Sequence, residues 1–197
     1  DHELNRLIHA LVEHRLLGDT AFVFLGDHGE MLYDHWRVAK NLPYEASARV
    51  PMMVRLPGRP HTIRRSSAVV ELMDVLPTLC EIADADVPDG ADGHSLLPLA
   101  RGDAATVRDT LHGEHFNWMS DSGASDDNQW ITDGRFKYVW FPRTGAEQLF
   151  DLIDDPTECR DLAAADPATV DRLRTVLTAA LDGREEGYVR DGELVAG

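Results

Sequence analysis

A short apolar run at residues 20–25, which ends abruptly in the polar sequence Gly-Asp-His-Gly-Glu at residues 26–30, constrains the fold of this chain most strongly. Continuous apolar runs rich in β-forming residues are typical of strands that are covered on both faces. Before this strand, a helix is predicted over residues 1–17, because apolar residues recur there at helical spacing. The residues of that stripe are Leu4, Leu7, Ile8, Leu11 and Val12. A helix that leads into a buried strand predicts an α/β sheet with helices on its faces.

The same pattern continues up to about residue 105. A second strand is predicted at residues 50–56, closed by a Pro-Gly turn. A helix follows at residues 74–83, with Asp74 in the N-cap position. We therefore predict that residues 1–105 form part of an α/β core.

The pattern changes in residues 106–197, which we predict to form a small α+β subdomain. Asp133-Gly134 separates two aromatic-rich runs and indicates a hairpin. A final amphipathic helix is predicted at residues 167–181. Short strands are predicted at residues 110–114, 129–132 and 136–141, and Trp118, Trp130 and Trp140 are interpreted as core or subdomain-interface anchors.

The charge of the chain excludes several classes of partner. Of its 197 residues, 35 are acidic and 19 are Lys or Arg, which gives a formal net charge of −16. Such a field repels nucleic acid and anionic membranes, so neither is expected as a partner. The apolar runs are too short to cross a bilayer. Two cysteines, Cys80 and Cys159, do not form a disulfide framework.

The polar residues after the first strand are candidate metal ligands. Asp27 and His28 follow that strand directly, and ligands of open α/β sheets bind at the carboxyl ends of strands. A carboxylate and an imidazole are both ordinary ligands of divalent cations, although further ligands must come from elsewhere. The alternative is a turn in which Asp27 caps backbone amides and His28 is solvated.

Two other candidates lie further along the chain. Lys40 belongs to a long irregular stretch and can hold a sulfate or phosphate oxygen as a point charge, or else be ordinary solvated surface. His112 and Glu114 share one face of a predicted strand, while His115 points to the other. His112 can therefore line a substrate pocket, although a partly buried strand with polar ends explains the pattern equally well.

Beyond these single residues, the chain resembles the C-terminal portion of sulfatases of the alkaline phosphatase superfamily. The resemblance extends in the expected order over nearly the whole sequence. The motifs that carry it are Gly-Asp-His-Gly-Glu-Met-Leu at 26–32, Asp34-His35, Lys40, Pro43-Tyr44-Glu45, Arg49-Val50-Pro51, the segment 70–79, Asp92-Gly93-His94-Ser95-Leu96, Thr-Asp-Gly-Arg-Phe-Lys-Tyr at 132–138, Glu-Gln-Leu-Phe-Asp-Leu at 147–152 and Asp155-Pro156. The resemblance implies the C-terminal part of an alkaline-phosphatase-like α/β sandwich, followed by a small antiparallel sheet with a helix.

The resemblance also implies a chemistry, namely metal-dependent hydrolysis of a small anionic sulfate ester. Asp27 and His28 match metal ligands, and Lys40 matches a lysine that contacts the transferred group. Calcium is the expected metal, with manganese or magnesium as alternatives. Many sulfatases carry asparagine where His28 stands, and histidine there also occurs in phosphonate and phosphate mono- or diester hydrolases, which are therefore the alternative function.

The catalytic nucleophile of the family is not present in this sequence. It is a formylglycine made from the first residue of a Cys/Ser-x-Pro-x-Arg motif, and neither Cys80 nor Cys159 belongs to such a motif. We therefore expect the nucleophile and two acidic metal ligands to come from a preceding segment or a partner chain. The 197-residue chain alone is expected to be inactive. A non-catalytic binding module is the remaining alternative.

Overall fold

The computed structural model describes residues 1–58, 64–116 and 127–197, so that the expected anchor Trp118 lies outside the described residues. The helices are α1 (His2–Glu13), α2 (Glu45–Ala48), α3 (Val75–Ile82), α4 (Leu97–Arg101) and α5 (Pro167–Leu181). The strands are β1 (Phe22–Leu25), β2 (Met52–Arg55), β3 (Leu111–His115), β4 (Asn128–Thr132), β5 (Phe136–Phe141), β6 (Ala146–Asp151), β7 (Val189–Arg190) and β8 (Glu193–Leu194). Short 3-10 turns lie at Leu17–Asp19, Asp34–Trp36 and Leu72–Asp74.

The chain forms two compact units that alternate along the sequence. The first unit contains Asp1–Gly26, Pro51–Ser66 and Glu71–Val107. The second contains Asp27–Val50, Ser67–Val70 and Arg108–Gly197. The stretch that carries Asp27, His28 and Lys40 therefore belongs to the same unit as the C-terminal sheet. The proposed boundary at residue 105 remains a prediction.

In the first unit, β1 and β2 form a two-stranded antiparallel ribbon, in which Phe24 lies opposite Met53. The expectation that β1 is covered on both faces is wrong for the described residues, because Phe24 is 46% exposed and Met53 is 59% exposed. Among the described residues, β2 is the one strand that pairs with β1. The apolar stripe of α1 is also largely exposed.

The helix predicted at residues 74–83 is present as α3, but Asp74 does not cap it with its side chain. Its buried carboxylate instead accepts hydrogen bonds from the backbone amides of Glu71, at 2.9 Å, and His94, at 2.8 Å. Thr78 donates to the carbonyl of Asp74 and accepts from the amide of Leu96. These contacts join residues 71–78 and residues 94–96 of the first unit around one fully buried aspartate.

The core of the second unit lies between a four-stranded antiparallel sheet, in the order β3-β4-β5-β6, and helix α5. The predicted hairpin is confirmed: β4 pairs with β5, and the Asp133 carboxylate accepts from the amides of Arg135 and Phe136. Helix α5 has the predicted limits, with Asp166 accepting from the amide of Thr169. The buried core residues are Ile131, Tyr138, Trp140, Leu149, Val170, Leu173, Leu177 and Leu181.

Strand β6 was not predicted from the sequence, although it pairs with β5 along its whole length. Its residues neither form a continuous apolar run nor alternate between apolar and polar types, so both sequence signals of a strand are missing. Within the described part of the chain, no helix has the length and apolar character needed to cross a membrane.

Candidate active site

The structure brings Asp27, His28 and Lys40 together directly after β1. Lys40 Nζ lies 2.5 Å from His28 Nε2, and that nitrogen lies 3.6 Å from Asp27 Oδ2. The amide of His28 also donates to Asp27 Oδ1 at 3.0 Å. Two residues expected to bind a metal and one expected to bind an anion therefore form a single cluster.

The hydrogen bonds of His28 determine which ring nitrogen carries the proton. Its Nδ1 lies 2.7 Å from the carbonyl oxygen of Gly29, which can only accept, so Nδ1 is the protonated nitrogen. Nε2 therefore presents its lone pair, and the Lys40 ammonium donates to it. A metal-binding histidine commonly donates its other ring N–H to a carbonyl or carboxylate in this way. In this tautomer, Nε2 is the ring nitrogen that can act as an acceptor or a ligand.

The side chains are also accessible enough to take up a ligand. The Asp27 side chain is 87% exposed and that of His28 is 39% exposed. A carboxylate oxygen and an imidazole nitrogen are donors that fit a divalent cation. Within the described ranges, however, no group of three or more His, Cys, Asp or Glu residues is placed to hold a metal. The roles of Asp27 and His28 as metal ligands therefore remain a prediction.

The backbone beside His28 rests against helix α2 at very short range. The amides of Gly29 and Glu30 donate to the carbonyls of Ser47 and Ala46, each at 2.8 Å. A Cβ on Gly29 would lie 2.0 Å from the oxygen of Ala46, so only glycine fits at this position. The position of His28 is therefore coupled to the position of α2.

Between His28 and Lys40, the chain forms a tight loop. The amide of Met31, which is buried, donates to the carbonyl of Ala39 at 2.9 Å and closes the loop. Trp36, at the tip, is 93% exposed. Positive φ angles are adopted by five non-glycine residues of the loop, Leu32, Tyr33, His35, Trp36 and Ala39. Such strained backbone conformations usually persist only where surrounding contacts enforce them.

Contacts to the C-terminal part of the unit hold this loop. The rings of His35 and Tyr44 stack with centroids 3.9 Å apart, and His35 Nε2 donates to the carbonyl of Thr157 at 3.0 Å. The Tyr44 hydroxyl donates to Gln148 at 3.2 Å. Burial raises the pKa of Tyr44, so the phenol stays protonated and acts as a donor at neutral pH. A cavity of about 260 Å³ lies beside this stack.

The structure does not bring His112 to the Asp27, His28 and Lys40 cluster. His112 pairs with Ile131 across the strands, and therefore lies on the sheet face that packs against α5. Its Nε2 bonds to Gln129 at 2.7 Å. The opposite face, which carries His115 and Asn128, is the one that contacts the end of the loop: the side-chain amide of Asn128 donates to the carbonyl of Asn41 at 3.0 Å. The substrate-binding role of His112 remains a prediction without support from this geometry.

The family of sequences described as "N-sulphoglucosamine sulphohydrolase, C-terminal" matches residues 29–185. The chain belongs to this sulfatase family. The matched residues include Lys40, the loop and the four-stranded sheet with α5, and begin one residue after His28. The predicted resemblance to the C-terminal portion of sulfatases is thereby confirmed.

Individual sulfatase relatives support the same assignment. An arylsulfatase of Clostridium perfringens is 39% identical over 202 residues, which cover all of this chain and 41% of that protein. An arylsulfatase K of Xenopus laevis is 35% identical over 185 residues, covering 91% of this chain and 34% of the relative. This sulfatase chain therefore spans less than half the length of the curated relatives that it matches.

Solved structures confirm the predicted fold class. A protein in complex with its substrate D-glucosamine-2-N,6-O-disulfate superimposes with a TM-score of 0.84 over 94% of this chain and 39% of that one, at 22% identity. A phosphonate monoester hydrolase from Silicibacter pomeroyi superimposes with a TM-score of 0.78 over 90% of this chain and 38% of that one, at 28% identity. The sulfatase chain thus has the fold of the C-terminal part of larger hydrolases.

Proposed function

We propose that this chain is the C-terminal part of a sulfuric ester hydrolase and supplies Asp27, His28 and Lys40 to its active site. The observation that carries the proposal is the cluster itself, in which His28 presents an unprotonated Nε2 between a carboxylate and an ammonium. Membership of a sulfatase family and similarity to arylsulfatases support the reaction class. The formylglycine nucleophile belongs to a segment or partner chain outside these residues.

In this proposal, Asp27 and His28 Nε2 bind one divalent metal. Calcium is the ion expected from the resemblance, with manganese or magnesium as alternatives, and a carboxylate ligand suits all three ions. When bound, such a metal supplies positive charge that polarises the ester oxygens. Because one lone pair cannot serve two partners, Lys40 donates to another acceptor whenever Nε2 binds a metal.

Lys40 then has an ammonium available for the anionic group of the substrate. It stabilises the negative charge that develops on the oxygen of the leaving group, which is electrostatic stabilisation of the transition state. The local positive charge of metal and lysine also offsets the net charge of −16, which otherwise repels an anionic ester. A sulfated sugar is a suitable substrate, since the structurally similar protein was solved with a disulfated glucosamine.

The second candidate function is hydrolysis of phosphonate or phosphate esters. The histidine at position 28 and the similarity to a phosphonate monoester hydrolase favour it. Comparing kcat/KM of the whole protein on an aryl sulfate and on a phenylphosphonate ester decides between the two. A higher value for the phosphonate ester would replace the sulfatase proposal with this one.

The residue roles are tested separately, by metal titration of the 197-residue chain in a calorimeter. Asp27→Ala and His28→Ala should each weaken binding of calcium or manganese about tenfold or more, because each removes one of two ligands. Asp34→Ala, which removes an exposed carboxylate in the same loop, is the matched control and should leave affinity unchanged. Equal affinity in all three variants would contradict the assigned ligands. In the whole protein, Lys40→Ala should lower kcat about a hundredfold.

A further inference from the structure

The ammonium of Lys137, on β5, is completely buried and has three acceptors. Its Nζ lies 2.7 Å from Glu45 Oε1, 2.8 Å from Glu158 Oε1 and 2.8 Å from the carbonyl oxygen of Pro43. The side chain of Lys137 is 0% exposed and that of Glu158 is 1% exposed. Since an ammonium has three N–H donors, every one of them is satisfied.

A buried ion pair of this kind contributes little net stability, because desolvation of the charges offsets their attraction. Burial raises the pKa of Glu158 even with Lys137 beside it. Glu158 also adopts a left-handed φ of 55°, which is unfavourable for a residue with a side chain. These costs indicate that the cluster serves a purpose other than general stability, and its contacts show which part of the chain it holds.

We propose that Lys137 is a positioning residue of the active site, whose ammonium fixes the segment that carries Asp27, His28 and Lys40. The inference rests on the proposed function for its catalytic meaning, but the positioning itself is a property of the chain. Lys137 lies on the sheet face opposite α5, because it pairs in register with Thr132 and its Nζ lies 5.2 Å from the centroid of the Trp130 ring.

The contacts lead from Lys137 to His28 through helix α2. Glu45, the first residue of α2, is held at both ends: its carboxylate binds Lys137 and its amide donates to Glu158 Oε2 at 2.5 Å. The carbonyls of the next two residues of α2, Ala46 and Ser47, accept from the amides of Glu30 and Gly29. Because a Cβ on Gly29 would overlap with that helix, no space separates the backbone of Gly29 from α2. A displacement of α2 therefore displaces His28.

The same cluster also holds the chain near Lys40. Pro43, whose carbonyl accepts from Lys137, lies three residues after Lys40. Between them, the carbonyl of Asn41 accepts from Asn128 on β4. The backbone that follows Lys40 is thus attached to two neighbouring strands of one sheet. The backbone on both sides of the His28–Lys40 contact is therefore attached to the same four-stranded sheet, next to Lys40 directly and next to His28 through α2.

Hydrogen exchange at Gly29 and Glu30 tests this proposal without requiring catalysis. Lys137→Met should accelerate exchange of these two amides about tenfold or more relative to amides of α5, as expected when charge-assisted contacts that hold α2 are lost. The matched control is Arg174→Met, which removes the bidentate ion pair with Glu147 on the other side of the same sheet, at 2.6 and 2.8 Å. It should leave both amides unchanged.

A second pair of variants covers the case in which Lys137→Met does not fold. Glu45→Ala removes one acceptor of Lys137 and should also accelerate exchange at Gly29 and Glu30, whereas Glu45→Gln retains an acceptor oxygen and should restore slow exchange. Rates within twofold of the wild type in Glu45→Ala would overturn the proposal, as would equal acceleration in Arg174→Met. If the exchange result holds but the whole protein does not hydrolyse sulfate esters, the positioning stands and the proposed function fails.

Catalysis in the whole protein provides the final readout. Lys137→Met should lower kcat/KM about a hundredfold, in line with a displacement of about 1 Å at the reacting groups. The loss should appear mainly in kcat, because Lys137 makes no contact with substrate in this proposal. Arg174→Met should retain wild-type kinetics. A decrease in kcat in Arg174→Met as large as that in Lys137→Met would show a general effect on folding and contradict the assignment.

Discussion

Replacing Gly29 by alanine should displace the active-site segment, because the added methyl group has no space. The new Cβ would lie 2.0 Å from the oxygen of Ala46, whereas real Cβ contacts are essentially never under 3.0 Å, so the two must separate by at least 1 Å. The φ angle of Gly29 is not left-handed, and the obstacle is therefore steric alone. Separation of the two segments strains both amide–carbonyl bonds between residues 29–30 and α2.

The magnitude follows from the size of this overlap. Overpacking of this kind costs about 1–3 kcal/mol. For a protein of this length, each kcal/mol lowers Tm by roughly 2–4 °C, so a value in the middle of that range corresponds to roughly 4–8 °C. A shift of about 1 Å at His28 should also reduce kcat/KM of the whole protein about a hundredfold.

The assays are thermal unfolding followed by circular dichroism, metal titration of the chain and kinetics of the whole protein. Metal binding should be weaker in Gly29→Ala, because the displacement includes His28. Gly18→Ala is the matched control, because Gly18 also lacks a left-handed φ and an added methyl group there would meet no atom within 4 Å. That variant should have an unchanged or slightly raised Tm, since alanine restricts the unfolded chain. If Gly29→Ala matched this control in both Tm and metal affinity, the close contact between residue 29 and α2 would not govern the site.

Three further predictions concern other parts of the chain. The hydrogen bonds of Arg174 hold the pKa of Glu147 below its usual value of 4.5, so this carboxylate stabilises the fold above that pH and the contribution is lost as the pH falls below it. Glu147→Gln should therefore flatten the decline of Tm in acid, and an unchanged acid profile would count against the pair. Phe24 and Met53 are exposed side by side on the two-stranded ribbon, so the 197-residue chain should self-associate, as measured by light scattering, and Phe24→Lys should reduce the self-association. A sharp monomer peak of the wild type at high concentration would contradict this prediction. Finally, Lys40→Met should raise the affinity for divalent metal, because it removes a positive charge and a competitor for His28 Nε2; weaker binding in a calorimeter would refute this reasoning.

The sequence was sufficient to predict the parts of the fold that follow from local periodicity. Helix α5 and the Asp133-Gly134 hairpin have strong local signals, and both are present at the predicted residues. The cluster was also predictable in part, because Asp27 and His28 follow an apolar strand directly. The resemblance to sulfatases identified Lys40 as a candidate site residue, whereas its position in an irregular stretch was equally compatible with ordinary solvated surface.

The remaining features depend on contacts between distant parts of the chain. The alternation of side chains correctly placed His112 and Glu114 on one face, but only the register with β4 shows that this face packs against α5. The burial of Lys137 could not be predicted from composition, because lysine is almost never fully buried unless it is paired. Its partners, Glu45 and Glu158, are far away in sequence.

The alternation of the two units along the sequence limits how this protein can be recombined with its relatives. A gene fragment that begins at residue 108 encodes every strand of the C-terminal sheet and α5, but it omits residues 27–50. Lys137 would then retain Glu158 and lose both Glu45 and the Pro43 carbonyl. In such a fragment, the sheet face that carries Lys137 would be uncovered, and its charged residues would be exposed to solvent. A chimaera that takes the C-terminal sheet from a homologous gene is therefore expected to fold only when residues 27–50 come from that same gene.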